Sequence, residues 1–181
     1  SHVSGIIAGR KTLFNDSDDT LARGVAPAAR LMVNRVCANN GGCQASAAII
    51  DIARAGARVV NMSLGGLNEL NDGYGVQETI VNRLTEVYNT LFVISAGNSG
   101  PGKNTVGSPS VARHSLSVGA AANRELIERQ YQWMGVGREK TVLNNPTEDF
   151  MLFFSSRGPT AAGGFKPNIS APGTELSSVQ L

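Results

Sequence analysis

Charged side chains are scarce here: 17 % of the 181 residues are Asp, Glu, Lys or Arg, and the formal net charge is +2. The Lys and Arg residues are scattered, with no basic run and no patterned helix face, so nothing points to nucleic acid as a partner. Low charge beside 41 % hydrophobic residues and 21 glycines argues against a disordered chain and for a compact, loop-rich one. No apolar run approaches the ~18 residues of a membrane-spanning helix, so no membrane partner is expected. Internal repeats and low-complexity tracts are lacking. So are a Gly-x-Gly-x-x-Gly turn between strand and helix and a Lys-Ser/Thr phosphate loop, which removes the common nucleotide-binding signatures. Neither a signal peptide nor an initiator Met opens the chain, and it reads as an excised piece of a single domain.

Cysteine is limited to Cys37 and Cys43, which flank Ala-Asn-Asn-Gly-Gly. That linker turns tightly enough to bring the thiols together. A ring this small would stabilise by roughly 2 kcal/mol and would imply an oxidising compartment, secreted or periplasmic. Two free thiols in a reduced protein remain the open alternative. A metal site would need more ligands than these two.

What is present is an alternation of elements. Residues 4–9 are small and apolar, the end of a helix, and residues 11–23 form a polar loop. Residues 29–36 alternate as a strand. Residues 44–55 carry Ala45, Ala48, Ile49, Ile52 and Ala53 at helical spacing, stopped by Gly56. Residues 58–62 are a valine-rich strand, followed by a Gly/Asn loop. Residues 76–89 place Val76, Ile80, Leu84, Val87 and Tyr88 on one helix face. Residues 91–95 are a short apolar run bounded by small and turn residues, the pattern of a buried strand. Residues 115–120 alternate as another strand, and residues 151–155 and 167–171 are short strand candidates. Residues 121–149 form an insertion, long, polar and irregular. The order predicts an α/β fold: three layers, with a mostly parallel twisted sheet and helices on both faces. Asn98 then stands just beyond a strand's carboxyl end, where open α/β sheets place their ligands, with an amide able to donate hydrogen bonds into the crevice.

Six segments, in order over essentially the whole chain, resemble the signatures of subtilisin-like serine peptidases, the subtilases. Ser1-His2-Val3-Ser4-Gly5 is similar to the tail of the family's His-Gly-Thr-His-Val-Ala-Gly motif, and Gly24-Val25-Ala26-Pro27 to the Gly-Val-Ala-Pro before a core strand. Asn61-Met62-Ser63-Leu64-Gly65 resembles the strand and rim that pair with substrate, and Ser95-Ala96-Gly97-Asn98 the oxyanion-hole motif. Phe154-Ser155-Ser156-Arg157-Gly158-Pro159 and Ser170-Ala171-Pro172-Gly173 resemble two later signatures. The spacing is similar to the tripeptidyl-peptidase II branch and to large bacterial subtilases. The former has a Glu after the Ser-x-Gly rim, where this chain has Gly66.

The resemblance implies the core of a serine endopeptidase acting on a polypeptide substrate, in a subtilisin-like fold that is incomplete. It assigns Asn98 to the oxyanion hole. Ser63, Leu64, Gly65 and Gly66 become the substrate rim, an edge to which an extended peptide adds as a strand. Ala96 and Gly97 become the facing wall of the first specificity pocket. It also implies that the catalytic Asp, His and Ser all fall outside these residues, with His2 matching the second, structural His. This chain alone is therefore expected to be inactive, and its uncovered sheet surface to favour homodimers. A non-catalytic, subtilase-like binding module is the alternative. No cofactor is firmly implied. Asp16, Asp18 and Asp19 lie where some subtilases bind calcium, without the Gly and Glu of an EF-hand loop.

Overall fold

The structure, a computed structural model, describes residues 2–10, 12–13, 21–38, 43–123, 127–128 and 149–173. They fall into two units, one drawn mainly from residues 1–33 and the other from residues 34–174. In the first, helix α1 (His2–Ala8) is followed by strands β1 (Thr12–Leu13) and β2 (Leu21–Ala22), which pair antiparallel. The segment after β2 is tied to the helix end: Gly24 N donates to Gly9 O at 2.9 Å and Val25 N to Ile6 O at 3.0 Å.

The second unit begins with the chain entering a disulfide between Cys37 and Cys43, whose Cα atoms are 4.0 Å apart. Gln44 N donates to Val36 O across its neck at 2.8 Å, so the ring opens directly into helix α2 (Ala45–Arg54). The open question of free thiols is thereby resolved in favour of the disulfide. Helix α2 buries Ala45, Ala48, Ile49 and Ala53 on one stripe. It stops because Gly56 takes a left-handed φ of 88°. That turn lets Ala57 N reach back to Ile52 O and Gly56 N to Ala53 O, satisfying carbonyls the helix leaves free.

Strand β3 (Val59–Met62), helix α3 (Val76–Tyr88) and strand β4 (Leu91–Ser95) complete a parallel crossover. Asn89, at φ 51°, ends α3 in the left-handed conformation that Asn tolerates. Strand β5 (Ser115–Ala122) pairs parallel with β4 along residues 115–118 and with β7 (Ile169–Pro172) along residues 118–121. The short β6 (Phe150–Met151) meets the end of β5 antiparallel. The main core joins Val60 and Met62 of β3 and Phe92 and Ile94 of β4 to Ala45, Ile49 and Ala53 of α2 and Val81 and Leu84 of α3. The helices of this unit thus cover one sheet face. On the other, Val59, Asn61 and Leu91 are exposed, which is the incompleteness that the sequence implies.

Four expectations change. Residues 11–23, a polar loop by sequence, carry the paired strands β1 and β2. Helix α3 turns Val81 and Leu84 to the core and leaves Val76, Val87 and Tyr88 exposed, so its buried stripe is shifted from the expected one. Residues 29–36 form no strand: they are irregular, with Leu31, Met32 and Val33 exposed. Alternation alone does not hold a strand without a ladder partner, and none of the described residues supplies one. Of residues 151–155 only Met151 is in a strand, because the chain turns at Leu152, whose carbonyl accepts from Ser155 N. Most of the insertion at residues 121–149 lies outside the described residues.

Polar groups fasten the far side of the sheet. Ser110 Oγ donates to Ser117 Oγ at 2.7 Å, and Ser115 Oγ to Ser110 O at 2.7 Å. Lys166 is buried, and its Nζ donates to Ser115 O (2.6 Å), Ser115 Oγ (3.0 Å) and Asn168 Oδ1 (3.1 Å). All three acceptors are neutral. Burial lowers its pKa from the ordinary 10.5 to about 8, because desolvation disfavours the charged form. Between those values the folded state binds fewer protons than the unfolded chain, so this site becomes less destabilising as pH rises from 8 to 10.5. Denaturant titrations should therefore show the wild type gaining stability relative to Lys166→Met across that window. An unchanged difference would refute the assignment. Asn168→Asp, which places a carboxylate beside Nζ, should stabilise the protein at pH 7 and flatten the trend.

Candidate active site

Parallel register builds the site. Val60 stands opposite Phe92 and Met62 opposite Ile94, all four buried against the helices. The residues that follow, Ser63-Leu64-Gly65 and Ser95-Ala96-Gly97, therefore leave the sheet side by side at its carboxyl end, and Asn98 comes next. This is the sheet edge at which doubly wound folds bind ligands.

Each of the two segments is held from behind. Asn61 Nδ2 donates to Ser63 Oγ at 3.0 Å. Leu64 is half-buried and leans on the main core. Gly66 and Ser108 exchange two backbone hydrogen bonds, of 2.9 and 2.8 Å, and Gly107 N donates to Ala96 O at 3.1 Å. Residues 107–108 thus bridge the two sides. Gly65 is needed for the close approach, since a Cβ there would lie 2.6 Å from Ser108 O. Ala96 is buried in a small cluster with Val106 and Val111. Ser63, Gly65 and Gly66 stay exposed.

Gly97 and Asn98 rest on the segment at residues 154–157. Ser156 N donates to Gly97 O at 3.0 Å, and Ser99 N donates to Ser156 Oγ at 3.1 Å. Gly100 N donates to Phe154 O at 2.9 Å. Arg157 and Thr105 are joined through Arg157 N to Thr105 Oγ1 (2.8 Å) and Thr105 N to Arg157 O (2.8 Å). Gly97 takes φ 107°, and a Cβ on it would come within 2.9 Å of Ser156 Oγ. A side chain at residue 97 is thus excluded by conformation and by space. With its neighbours fixed, Asn98 is exposed, and its side-chain amide has no hydrogen-bond partner among the described residues. The arrangement places the two N–H donors of the Asn98 amide beyond the carboxyl ends of β3 and β4, next to the Ser63–Gly66 backbone.

The structure therefore brings Ser63, Leu64, Gly65, Gly66, Ala96, Gly97 and Asn98 to one rim. Asp16, Asp18 and Asp19 lie outside the described residues, and no metal-holding cluster of His, Cys, Asp and Glu occurs among the described ones. His114 is exposed, with Glu86 Oε1 3.6 Å from its Nε2, and its backbone N donates to Asn82 Oδ1 at 2.9 Å.

Two supporting residues escaped the sequence reading. Ser156 belongs to a signature that carried no stated role, although its paired serines were a signal that a buried hydroxyl was wanted there. Asn71 gave no signal at all. It is buried at φ 44°, and its Nδ2 donates to Val106 O at 2.7 Å with Asn104 Oδ1 at 3.4 Å. It secures the loop after Asn98 from 35 residues away.

Known proteins resemble this chain in sequence and in fold. The subtilase family model matches residues 1–181. Pyrolysin of Pyrococcus furiosus is 41 % identical over 174 residues, covering 91 % of this chain and 12 % of its own length. Tripeptidyl-peptidase 2 of Oryza sativa is 33 % identical over 185 residues, covering 99 % of this chain and 12 % of its own. Among solved structures, sphericase superposes with a TM-score of 0.70 at 26 % identity, over 99 % of this chain and 53 % of that one. The chain thus spans about an eighth of the curated relatives it matches.

The support from Ser156 is open to measurement. Ser156→Ala removes the acceptor of Ser99 N and should cost about 1 kcal/mol in denaturant unfolding, with faster hydrogen exchange at the Ser99 amide. Unchanged exchange there would show that the loop does not depend on this hydroxyl.

Proposed function

Starting from a chain that belongs to the subtilase family, we propose that it supplies the oxyanion donor and peptide-binding rim of a serine endopeptidase. The Asp, His and Ser of the triad come from residues beyond those of this chain, and His2 takes the structural place in its motif. The observation that carries the reading is the parallel register of Met62 with Ile94, which sets Ser63–Gly65 beside Ser95–Gly97, with an Asn98 amide that is unpartnered among the described residues.

A substrate in extended form adds between the two segments, taking main-chain hydrogen bonds from the Ser63–Gly65 edge. Gly65 lets the peptide approach, and Leu64 lends apolar surface. Ala96 and Gly97 are too small to block the side chain that enters the first pocket. When a nucleophilic hydroxyl attacks the scissile carbonyl, negative charge gathers on its oxygen. The Asn98 Nδ2–H group meets that charge, and its worth lies in being positioned before the charge forms. The His base takes the proton of the nucleophile, and the Asp holds the imidazole in the tautomer and orientation that let it do so. The Cys37–Cys43 disulfide favours an oxidising, extracytoplasmic setting. The exposed face at Val59 and Leu91 supports association of the isolated chain into dimers.

In the full-length protein, Asn98→Ala should lower kcat by about 10²–10³ with little change in KM, a magnitude known for this donor within this same family. Retention of kcat would remove Asn98 from the reaction. The chain of residues 1–181 by itself should neither turn over fluorogenic peptides nor react with a serine-directed phosphonate. Labelling of it would show that the nucleophile lies within these residues.

A further inference from the structure

A second concave site lies away from the rim residues. A cavity of about 510 Å³ opens between the segment at residues 157–159 and the approach to β7. Arg157, Lys166, Asn168 and Ser170 supply its polar groups, Met151 and Phe165 part of its apolar wall, and no acidic side chain lines it among the described residues. Two cationic residues thus face one cavity without a counter-charge from the described residues.

Their hydrogen bonding sharpens the point. Lys166 Nζ is fully engaged by three neutral oxygens, so it contributes positive charge but no free donor. Arg157 is the reverse. Its backbone is clamped to Thr105 on both sides. Its side-chain Nε is buried and without a hydrogen-bond partner, and the residue makes no ion pair among the described residues. An unsatisfied buried donor costs free energy, and no other described residue engages the rest of the guanidinium, so its outer donors are unpaired as well. Guanidinium presents its donors in a planar fork that matches the two oxygens of a carboxylate or phosphate. A cavity that sets this fork beside a second positive charge, with no carboxylate among its described lining residues, suits an oxyanion.

From this we infer that the cavity between Arg157 and Lys166 is an anion-binding site, taking a small carboxylate- or phosphate-bearing ligand through the Arg157 guanidinium. It is distinct in residues from the Asn98 rim and does not depend on the peptidase reading. The ligand's charge would also favour the protonated form of Lys166, whose pKa burial lowers to about 8.

The test uses the full-length protein at pH 7 and fixed ionic strength, titrated calorimetrically with inorganic phosphate and, separately, with citrate. At least one should bind saturably with a stoichiometry of one, and whichever binds more tightly identifies the source as phosphoryl or carboxylate. Arg157→Gln should weaken that binding about tenfold or more, Arg157→Lys less so, and Arg83→Gln, at the exposed pair with Glu86, not at all. Thermal unfolding alone is insufficient, because phosphate stabilises proteins generally by exclusion from their surface. Two results would overturn the inference. One is no saturable binding of either anion, as when a carboxylate of the protein itself fills the cavity. The other is binding that Arg157→Gln leaves intact in a variant with wild-type circular dichroism.

Discussion

Met62 stands opposite Ile94, and the rim of the molecule depends on that pairing. In a sheet, a slip of one residue turns every side chain to the other face. Here a slip of β3 would expel Val60 and Met62, and a slip of β4 would expel Phe92 and Ile94, from a core in which Phe92 and Ile94 are fully buried. Burial therefore sets the register, and the register sets which residues leave the sheet together. The peptide edge and the oxyanion donor are neighbours because their strands are locked by apolar contacts two to four residues earlier. Function at the carboxyl edge is specified from within the core.

Much of this was readable from one dimension, for a local reason. The strand at residues 91–95 matches its sequence reading residue for residue, since an apolar run closed by Ser95, Ala96 and Gly97 carries both its burial and its end. Helix α2 announced itself by a 3.6-residue stripe and the Gly56 that stops it; α3 was legible as a helix but not in its face, since Val76, Val87 and Tyr88 are exposed while Glu78 and Val81 are buried beside Leu84. The rim residues were legible through ordered motifs, each of which is weak alone. Residues 29–36 show the limit of such reading. Their alternation is real, but a strand is a relation between two segments, and no described residue completes it. Ser156 and Asn71 mark a second limit. Each acts across 35 or more residues through a single polar atom, and no local pattern encodes a partner at that distance.

The polar interior follows a consistent logic. Where serines line the buried side of β5, each hydroxyl finds an oxygen: Ser110 meets Ser117, and Ser115 meets the carbonyls of Ser110 and Ala112. The exceptions are few and local. Asn71 Oδ1, Glu78 Oε2 and Arg157 Nε are the buried side-chain atoms without partners among the described residues. Buried polar atoms left bare are costly. They sit in the loop ahead of α3, in the first turn of α3 and beside the Arg157 cavity.

The contact between Gly97 and Ser156 has a bearing on how the sequence can change. A Cβ at residue 97 would sit 2.9 Å from the Ser156 hydroxyl, and that same hydroxyl receives Ser99 N. The two positions, 59 residues apart in the chain, therefore share one small volume and one acceptor. Neither can vary without the other registering it, so divergence must pass through paired or silent steps at these sites. Effects at the two are non-additive by construction. For anyone building sequence libraries around this rim, residues 97 and 156 form a single combinatorial position.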